Sequence, residues 1–280
     1  MQTVLALLVG FMVVEVVAGV LTRSLALISD AAHMATDALG VGMALAAVMS
    51  ARKGAQGSRT YGLYRLEILA ALANTLLLFG VAVYIVWEAI NRWDNPPEIL
   101  SGPMLGVAVV GLGVNVIGWR LLDVEGKSLN VSAARLEIFA DLLGSIGVIV
   151  AALVVQFTGW LQADPLIAIA LGLFVLPRGY RLGREAVRIL VQAAPPHLDI
   201  ETIRRSLGSL PGVIDIHDLH VWTLTSGMEV ASAHLMIGND RDPHDTLDGA
   251  RDLLVQEFRI AHATLQVEPE AHTGCTELSW

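Results

Sequence analysis

The stretch SLALISDAAHMATDALG, residues 24–40, is an apolar segment that carries three ionisable side chains, Asp30, His33 and Asp37. It belongs to an apolar run over residues 25–49. An α-helix needs about 20 apolar residues to cross the hydrocarbon layer of a bilayer. We therefore expect this run to form a membrane-spanning helix that holds charged groups at membrane depth.

Five more apolar runs predict five further spanning helices, over residues 4–22, 66–90, 104–122, 136–157 and 163–180. The composition agrees with six spans, because 54% of the residues are hydrophobic and only 16% are charged, whereas an average soluble domain is about a quarter charged. The first run lacks the basic start of a secretory signal and contains Glu15, so we interpret it as a helix that is retained.

Lysine and arginine are concentrated in alternate connections, which predicts the orientation of the helices. Cytoplasmic loops are enriched in these residues, so we expect both termini to be cytoplasmic. The connections on the opposite side hold only Arg23 and Arg92. The basic residues that we place on the cytoplasmic side are Arg52, Lys53, Arg59, Arg65, Arg120, Lys127, Arg135, Arg178, Arg181, Arg184 and Arg188.

The net charge and the cysteine count exclude two classes of protein. Binding to nucleic acid needs a basic surface, and this chain has a net charge of −9. The single cysteine, Cys275, cannot form a disulfide within the chain or a cysteine-cluster zinc finger. We therefore expect neither a nucleic-acid partner nor a disulfide-stabilised fold.

From residue 195 the pattern changes to that of a small soluble domain. Asp199 is a suitable N-cap after Pro195 and Pro196, and alternating residues around the turn at Ser226-Gly227 predict a β-hairpin. The predicted elements are a helix over 199–210, strands over 214–223 and 229–237, a helix over 243–258 and a strand over 263–267. This αββαβ order predicts a compact α+β domain with two helices on one face of a sheet.

These patterns divide the chain into three parts. We expect an α-helical transmembrane domain over residues 1–190, a cytoplasmic domain over residues 195–270 and a flexible tail over residues 271–280.

Two of the predicted spans carry ionisable residues four positions apart. His33 and Asp37 do so in the second span, and Glu137 and Asp141, in the string LEIFAD, do so in the fifth. Positions i and i+4 share one face of an α-helix, and a charge at the bilayer centre costs roughly 2.5–3.5 kcal/mol on insertion scales. If the two faces meet, one imidazole and three carboxylates converge on a site for a divalent cation such as zinc.

Each of these residues also has a structural interpretation. His33 alone fits a hydrogen-bonded interior histidine, and Asp141 alone fits a polar contact between helices. The matching spacing in two spans favours the metal site. Asp30 lies on the same face nearer the outer end, where we expect at most a role in metal access or release, and we expect Glu15 and Asn74 to form helix contacts or to line a pathway.

The sequence resembles the cation diffusion facilitator family of zinc and heavy-metal transporters, and within it the bacterial cadmium-cobalt-zinc branch. The resemblance covers nearly the whole chain. It rests on the stretch at residues 24–40, on RTYGLYRLEILAALAN at 59–74, on SLNVSAARLEIFADLLGSIGVI at 128–149 and on HDLHVWTL at 217–224.

This resemblance implies six spanning helices, a cytoplasmic ferredoxin-like domain, a homodimer and location in the bacterial inner membrane. It implies a transporter and not an enzyme, which exports a divalent metal ion, zinc above all, in exchange for protons and without an organic cofactor. By position, the transport ligands of the family correspond to His33, Asp37, Glu137 and Asp141. Many zinc-selective members have histidine where this chain has Glu137, so we expect cobalt and cadmium to be tolerated.

The resemblance also implies sites of metal regulation. In related cytoplasmic domains, histidines near the first strand and on the second bind Zn²⁺ together with acidic groups near the end of the domain. His217 and His234 correspond to these histidines, and His262 and Glu268 are further candidates. Histidines at the surface or packed on the sheet are the alternative. The loop over residues 50–65 lacks Asp and His, so we predict no metal site there.

The proposed site has the chemistry of an antiporter. Three carboxyl groups in a pocket of low dielectric cannot all stay ionised without a cation, and His33 must be neutral to bind a metal, so metal and protons compete for the same atoms. A cation channel would need no proton coupling, but a four-ligand site favours tight binding and slow release. An intramembrane metalloenzyme is disfavoured because the HExxH motif and an additional base are absent.

Overall fold

The computed structural model describes residues 2–51, 57–124 and 129–270, with the backbone alone at some helical positions, Glu137 among them. The chain forms two compact units. The first comprises Met1–Ala46 and Ala70–Gly183, and the second comprises Ala47–Leu69 and Arg184–Trp280. The predicted tail over residues 271–280 lies outside the described residues.

Each predicted apolar run falls within one long helix. These helices are α1 Gln2–Thr22, α2 Leu25–Ala51, α3 Arg65–Asn91, α4 Ser101–Val124, α5 Leu129–Thr158 and α6 Ala163–Leu190. The last helix is longer than its apolar run because its basic continuation keeps a helical spacing, with arginines at positions 181, 184 and 188.

Four helices of the described part are long and apolar enough to cross a membrane: Arg65–Asn91, Ser101–Leu121, Ile138–Thr158 and Ala163–Leu190. In α1, the apolar segment Leu8–Thr22 is shorter. An α-helical membrane domain is thereby supported, and the count of six spans stays a prediction.

The packing of the first unit suits lipid surroundings. Large apolar side chains such as Leu21, Val83 and Phe157 are exposed on the outside of the helices, where hydrocarbon rather than water would meet them. Small residues such as Ala26 and Ala152 are fully buried between the helices. Small residues allow membrane helices to approach closely, because packing rather than the hydrophobic effect drives their association in lipid.

The carboxylate of Asp164, in the first turn of α6, fixes the start of α2. It accepts hydrogen bonds from Ser24 Oγ at 2.5 Å, from the Leu25 amide at 2.7 Å and from the Ala26 amide at 3.2 Å. Ser24 Oγ in turn accepts from the Leu27 amide at 3.1 Å, as an N-cap residue does. Because the first amides of a helix have no partner within it, this buried cap sets where α2 begins.

The second unit contains the predicted αββαβ domain. Its elements are α7 Ile200–Gly208, β1 Val213–Thr225, β2 Met228–Ile237, α8 Pro243–Phe258 and β3 His262–Pro269. The sheet order is β1-β2-β3, with β1 antiparallel to β2 and β2 parallel to β3. The predicted order is confirmed, and each predicted element matches its observed bounds within two residues.

The core of this domain lies between the helices and one face of the sheet. Ile203 and Leu207 of α7 and Leu254 of α8 pack against Ala231 and Leu235 of β2. Residues at odd positions of β2 therefore face the helices, and residues at even positions face the opposite side of the sheet.

The predicted N-cap at Asp199 is confirmed. Asp199 accepts a hydrogen bond from the Glu201 amide at 3.3 Å and from Thr202 Oγ1 at 2.5 Å. The hydrogen bond from the Thr202 hydroxyl is the main cause that lowers the pKa of Asp199 from its ordinary value.

Replacing Asp164 with alanine tests the cap of α2. We expect Asp164→Ala to lower the unfolding temperature of the detergent-solubilised protein, because each buried donor left without a partner costs about 1–3 kcal/mol. Thermal unfolding followed by tryptophan fluorescence measures this change. Asp94→Ala removes an exposed carboxylate and is the matched control; equal unfolding temperatures for the two variants would show that the cap does not stabilise the helix pair.

Candidate metal centres

His33 and Asp37 lie on one face of α2, as their spacing predicts. Nε2 of His33 is 3.6 Å from Oδ2 of Asp37. Both side chains are partly buried, and the distance is too long for a hydrogen bond.

Asp141 of α5 lies close to the same histidine. Its Oδ1 lies 3.9 Å from Nε2 of His33, and its side chain is 6% exposed. Tetrahedral zinc with bonds of about 2.0 Å holds its ligand atoms about 3.3 Å apart. The two distances around His33 are therefore close to those between ligands of one ion, and three of the four predicted transport ligands lie together.

The fourth predicted ligand is Glu137. Its side chain lies outside the described residues. The backbone of α5 runs continuously from Leu129 to Thr158, which puts Glu137 one turn before Asp141 on the same helix face.

Arg178 of α6 is a neighbour of the site that sequence reasoning assigned only to the basic cytoplasmic segment. Its Nη1 lies 3.7 Å from Oδ2 of Asp37, and its side chain is 53% exposed. The signal in the sequence was its position inside the sixth apolar run, where a guanidinium needs a carboxylate or water. A fixed positive charge therefore stands beside one of the proposed ligands.

His33 also borders an open cleft between α2, α3 and α6. Most of its lining is apolar, and His33 is the one titratable residue among the lining residues. The imidazole thus lies between a polar cluster on one side and an apolar cleft on the other.

Glu15 and Asn74 are buried, which fits the expected helix contacts, and Asp30, for which we expect at most a role in metal access or release, is buried as well. Asn74 lies against Gly40 of α2, where a Cβ would stand 2.6 Å from its side-chain Nδ2. Glycine at this position lets α2 and α3 approach closely.

A second cluster lies on the sheet of the cytoplasmic domain. His217 of β1 pairs with His234 of β2 across the antiparallel ladder, and their ring centroids are 5.2 Å apart. His234 is at an even position of β2, so the cluster lies on the sheet face opposite the helices, which the sequence alone did not decide.

Glu268 of β3 completes this cluster. Its Oε1 lies 2.8 Å from Nδ1 of His234, and its Oε2 lies 3.7 Å from Nε2 of His217. One ligand atom from each of the three residues lies within 4.8 Å of the others, and this is the one such group of three found among the described residues. Two imidazoles and a carboxylate are donors that zinc accepts.

A β-bulge directly after His217 places an acidic residue beside the cluster. The ladder between β1 and β2 shifts register between His217 and His220, and Asp218 inside this segment has a φ of 54°. Aspartate tolerates this left-handed conformation better than most residues. Asp218 then lies 3.9 Å from Nε2 of His234 and 3.0 Å from Nε2 of His220, an acidic neighbour that sequence reasoning missed although it stands in the string HDLH.

His262 does not join this cluster, contrary to the expectation. It starts β3, opposite Val230, and its ring makes an edge contact with Tyr61 at 6.3 Å between centroids. Six residues of extended strand, about 20 Å, separate it from Glu268.

Comparison with known proteins identifies the family. The model of the cation efflux transmembrane domain matches residues 1–191, and that of the cytoplasmic domain of cation efflux proteins matches residues 195–270. The chain belongs to the cation efflux family. The resemblance to the cation diffusion facilitators is thereby confirmed.

Three relatives illustrate this kinship. The metal cation efflux system protein CzcD of Cupriavidus metallidurans is 45% identical over 96% of this chain and 85% of its own length. The zinc transporter ZitB of Escherichia coli is 41% identical over 92% of this chain and 83% of its own. The cadmium, cobalt and zinc/H(+)-K(+) antiporter of Bacillus subtilis is 37% identical over 95% of this chain and 87% of its own.

Several predictions from the sequence are confirmed by this family membership. The protein is a membrane transporter of metal cations and not an enzyme. Its fold is an α-helical membrane domain followed by a small cytoplasmic α+β domain. The matched cytoplasmic domain supports the homodimer, and the bacterial relatives support an integral protein of the inner membrane.

Removing the cytoplasmic cluster should reduce the number of zinc ions bound by the full-length protein. We expect His217→Ala and Glu268→Gln each to abolish one class of zinc sites in calorimetric titrations in detergent, because each removes a ligand from a three-residue group. His244→Ala, which changes an exposed histidine outside the cluster, is the control. Unchanged zinc stoichiometry in both cluster variants would contradict a metal site here.

Proposed function

We propose that this protein exports divalent metal ions from the cytoplasm in exchange for protons, through a site formed by His33, Asp37, Glu137 and Asp141. Zinc is the main cargo, and cobalt and cadmium are tolerated. The observation that carries the proposal is the convergence of Asp37 and Asp141, from two helices, on Nε2 of His33 at 3.6 and 3.9 Å.

The charges of the four residues explain why protons and metal exchange. Buried carboxyl groups that face each other cannot all be ionised without a compensating cation. A divalent ion supplies two positive charges to three carboxyl groups, and the histidine binds metal only in its neutral form. Metal binding therefore expels protons, and proton binding expels metal.

Alternating access converts this competition into transport. When the site opens to the cytoplasm, metal displaces protons inward; when it opens to the exterior, protons displace the metal outward. Both termini are cytoplasmic in this scheme, since the basic connections lie on that side. Sites at the repeat or bundle interface near the midplane suit such rocking motions.

The donor set supports the metal preference. One imidazole and three carboxylates are borderline to hard ligands, which suit zinc and tolerate cobalt and cadmium. The names of two relatives agree with this preference, since one is a zinc transporter and another a cadmium, cobalt and zinc antiporter. Glu137, in place of the histidine of many zinc-selective members, is the residue that broadens the selectivity.

The cytoplasmic domain, residues 195–270, acts in this scheme as a metal sensor and dimerisation module for the transport domain, residues 1–190. His217, His234 and Glu268 hold the regulatory zinc. This assignment is supported by the clustering of one ligand atom from each of the three residues within 4.8 Å of one another.

Transport by purified protein in liposomes tests the proposal. We expect a pH gradient to drive zinc accumulation against its concentration gradient, and Asp141→Asn to reduce the initial rate at least tenfold, about 1.4 kcal/mol of barrier, because one ligand is lost. A zinc-sensitive dye inside the liposomes measures the rate. Asp94→Asn changes an exposed carboxylate and should transport like the wild type.

Two outcomes would contradict this function. Zinc flux that follows its own gradient regardless of the pH gradient would indicate a channel. Wild-type transport by Asp141→Asn would remove α5 from the metal site.

A further inference from the structure

Arg178 of α6 is a positive charge beside the proposed transport site that the four metal ligands do not include. Its Nη1 lies 3.7 Å from Oδ2 of Asp37. It follows Val175 by three residues and so continues the face of α6 that lines the cleft beside His33. Arg178 therefore lies beyond the apolar lining of this cleft, on the side of Asp37.

Close packing of α6 against α3 fixes the position of Arg178. A side chain at Gly179, the next residue, would collide with Leu78 of α3, and a Cβ at Gly183 would stand 2.7 Å from Cγ2 of Thr75. Leu78 and Thr75 are both buried. The backbone of α6 is therefore held closely against α3 at this height, and the guanidinium stays within reach of the metal ligands.

The exposed side of Arg178 marks an aqueous opening of the site. The Arg178 side chain is 53% exposed, whereas that of Asp37 is 21% exposed. Their distance is too long for a hydrogen bond, so the N–H donors of the guanidinium need further acceptors. A guanidinium at membrane depth is stable only beside a carboxylate or water. The half of the side chain that is exposed therefore faces water.

The charges of the metal-bound site balance only when Arg178 is counted. The carboxylates of Asp37, Glu137 and Asp141 carry three negative charges when they bind a metal, and His33 binds it in the neutral form. A divalent ion compensates two of these charges. Arginine keeps its positive charge in proteins and is not a metal ligand, so Arg178 compensates the third. The site with one divalent ion is then neutral.

We propose that Arg178 determines the charge of the ions that the transport site accepts, and that it selects divalent over trivalent cations. This inference rests on the proposed function, whose four metal ligands it takes as given, and adds a specificity-determining residue that binds no metal. The guanidinium repels a bound cation in proportion to the charge of that cation. A trivalent ion is therefore repelled one and a half times as strongly as a divalent ion in the same position.

The same repulsion helps the site to release its metal. Three carboxylates and an imidazole hold a cation tightly, and an exporter has to release the ion in every cycle. Without the positive charge of Arg178 the metal binds more tightly, and at an unchanged association rate it leaves more slowly. Loss of this charge therefore lowers both the zinc concentration that half-saturates transport and the maximal rate.

Equilibrium dialysis with radioactive zinc tests the proposal in full-length protein that carries His217→Ala and Glu268→Gln, so that the cytoplasmic cluster does not compete. Tb³⁺ binding is measured by displacement of this zinc. We expect Arg178→Gln to lower the zinc dissociation constant about tenfold and that of Tb³⁺ about thirtyfold, because the lost repulsion scales with cargo charge. Arg178→Lys keeps the charge and should bind both ions as the parent protein does. Arg184→Gln, at an exposed position about 9 Å further along α6, should change both constants less than about twofold.

Three outcomes would overturn the proposal. An unchanged zinc dissociation constant in Arg178→Gln would show that the guanidinium acts on lipid phosphate or water and not on the site. Tb³⁺ that competes with zinc no better in Arg178→Gln than in the parent would show that the effect does not scale with charge. A lysine variant that behaves like the glutamine variant would assign Arg178 to helix packing. Arg178→Met is a second uncharged variant in case glutamine impairs folding.

Failure of the proposed function has a different signature. Unchanged zinc binding by Asp141→Asn in the same background would contradict the metal site itself, and zinc flux that ignores a pH gradient would contradict the antiport. Coupled transport through an intact site, with affinities in Arg178→Gln that do not depend on cargo charge, would contradict only the role of Arg178.

Discussion

The structure depends on how charge is compensated inside an apolar helix bundle. A carboxylate at membrane depth needs a cation, a proton or a fixed positive group beside it. Two such arrangements lie in the helix bundle: His33 lies between Asp37 and Asp141, and Arg178 lies beside Asp37. Carboxyl groups whose charge can be compensated either by a metal ion or by protons can exchange the two, and this exchange is the basis of the proposed transport.

Other contacts in the bundle fix the positions of these charged residues relative to one another. The buried cap from Asp164 sets the start of α2, and Asp30, His33 and Asp37 follow at fixed heights along that helix. Glycine at position 144 lets α5 approach closely enough for Asp141 to reach His33. The cytoplasmic cluster has a different basis, since ladder pairing aligns His217 with His234 and the neighbouring strand β3 brings Glu268 to both.

Much of this could be predicted from residues alone. Apolar length predicted each long helix, and the i, i+4 spacing predicted that His33 and Asp37 share a face; turn and cap residues predicted the αββαβ order. Contacts between distant segments could not be predicted, because periodicity carries no information on which helix faces which. The position of Arg178 beside Asp37 is such a case. The bulge at Asp218 was also missed, since it breaks the alternation that strand prediction uses.

Zinc X-ray absorption on full-length protein that carries His217→Ala and Glu268→Gln tests the central claim most directly. With the cytoplasmic cluster removed, bound zinc should be in the membrane domain. The account predicts a first shell with about one nitrogen and about three oxygens at zinc-ligand distances. A shell with several imidazoles, or protein that holds no zinc, would contradict the convergence of α2 and α5 on one ion.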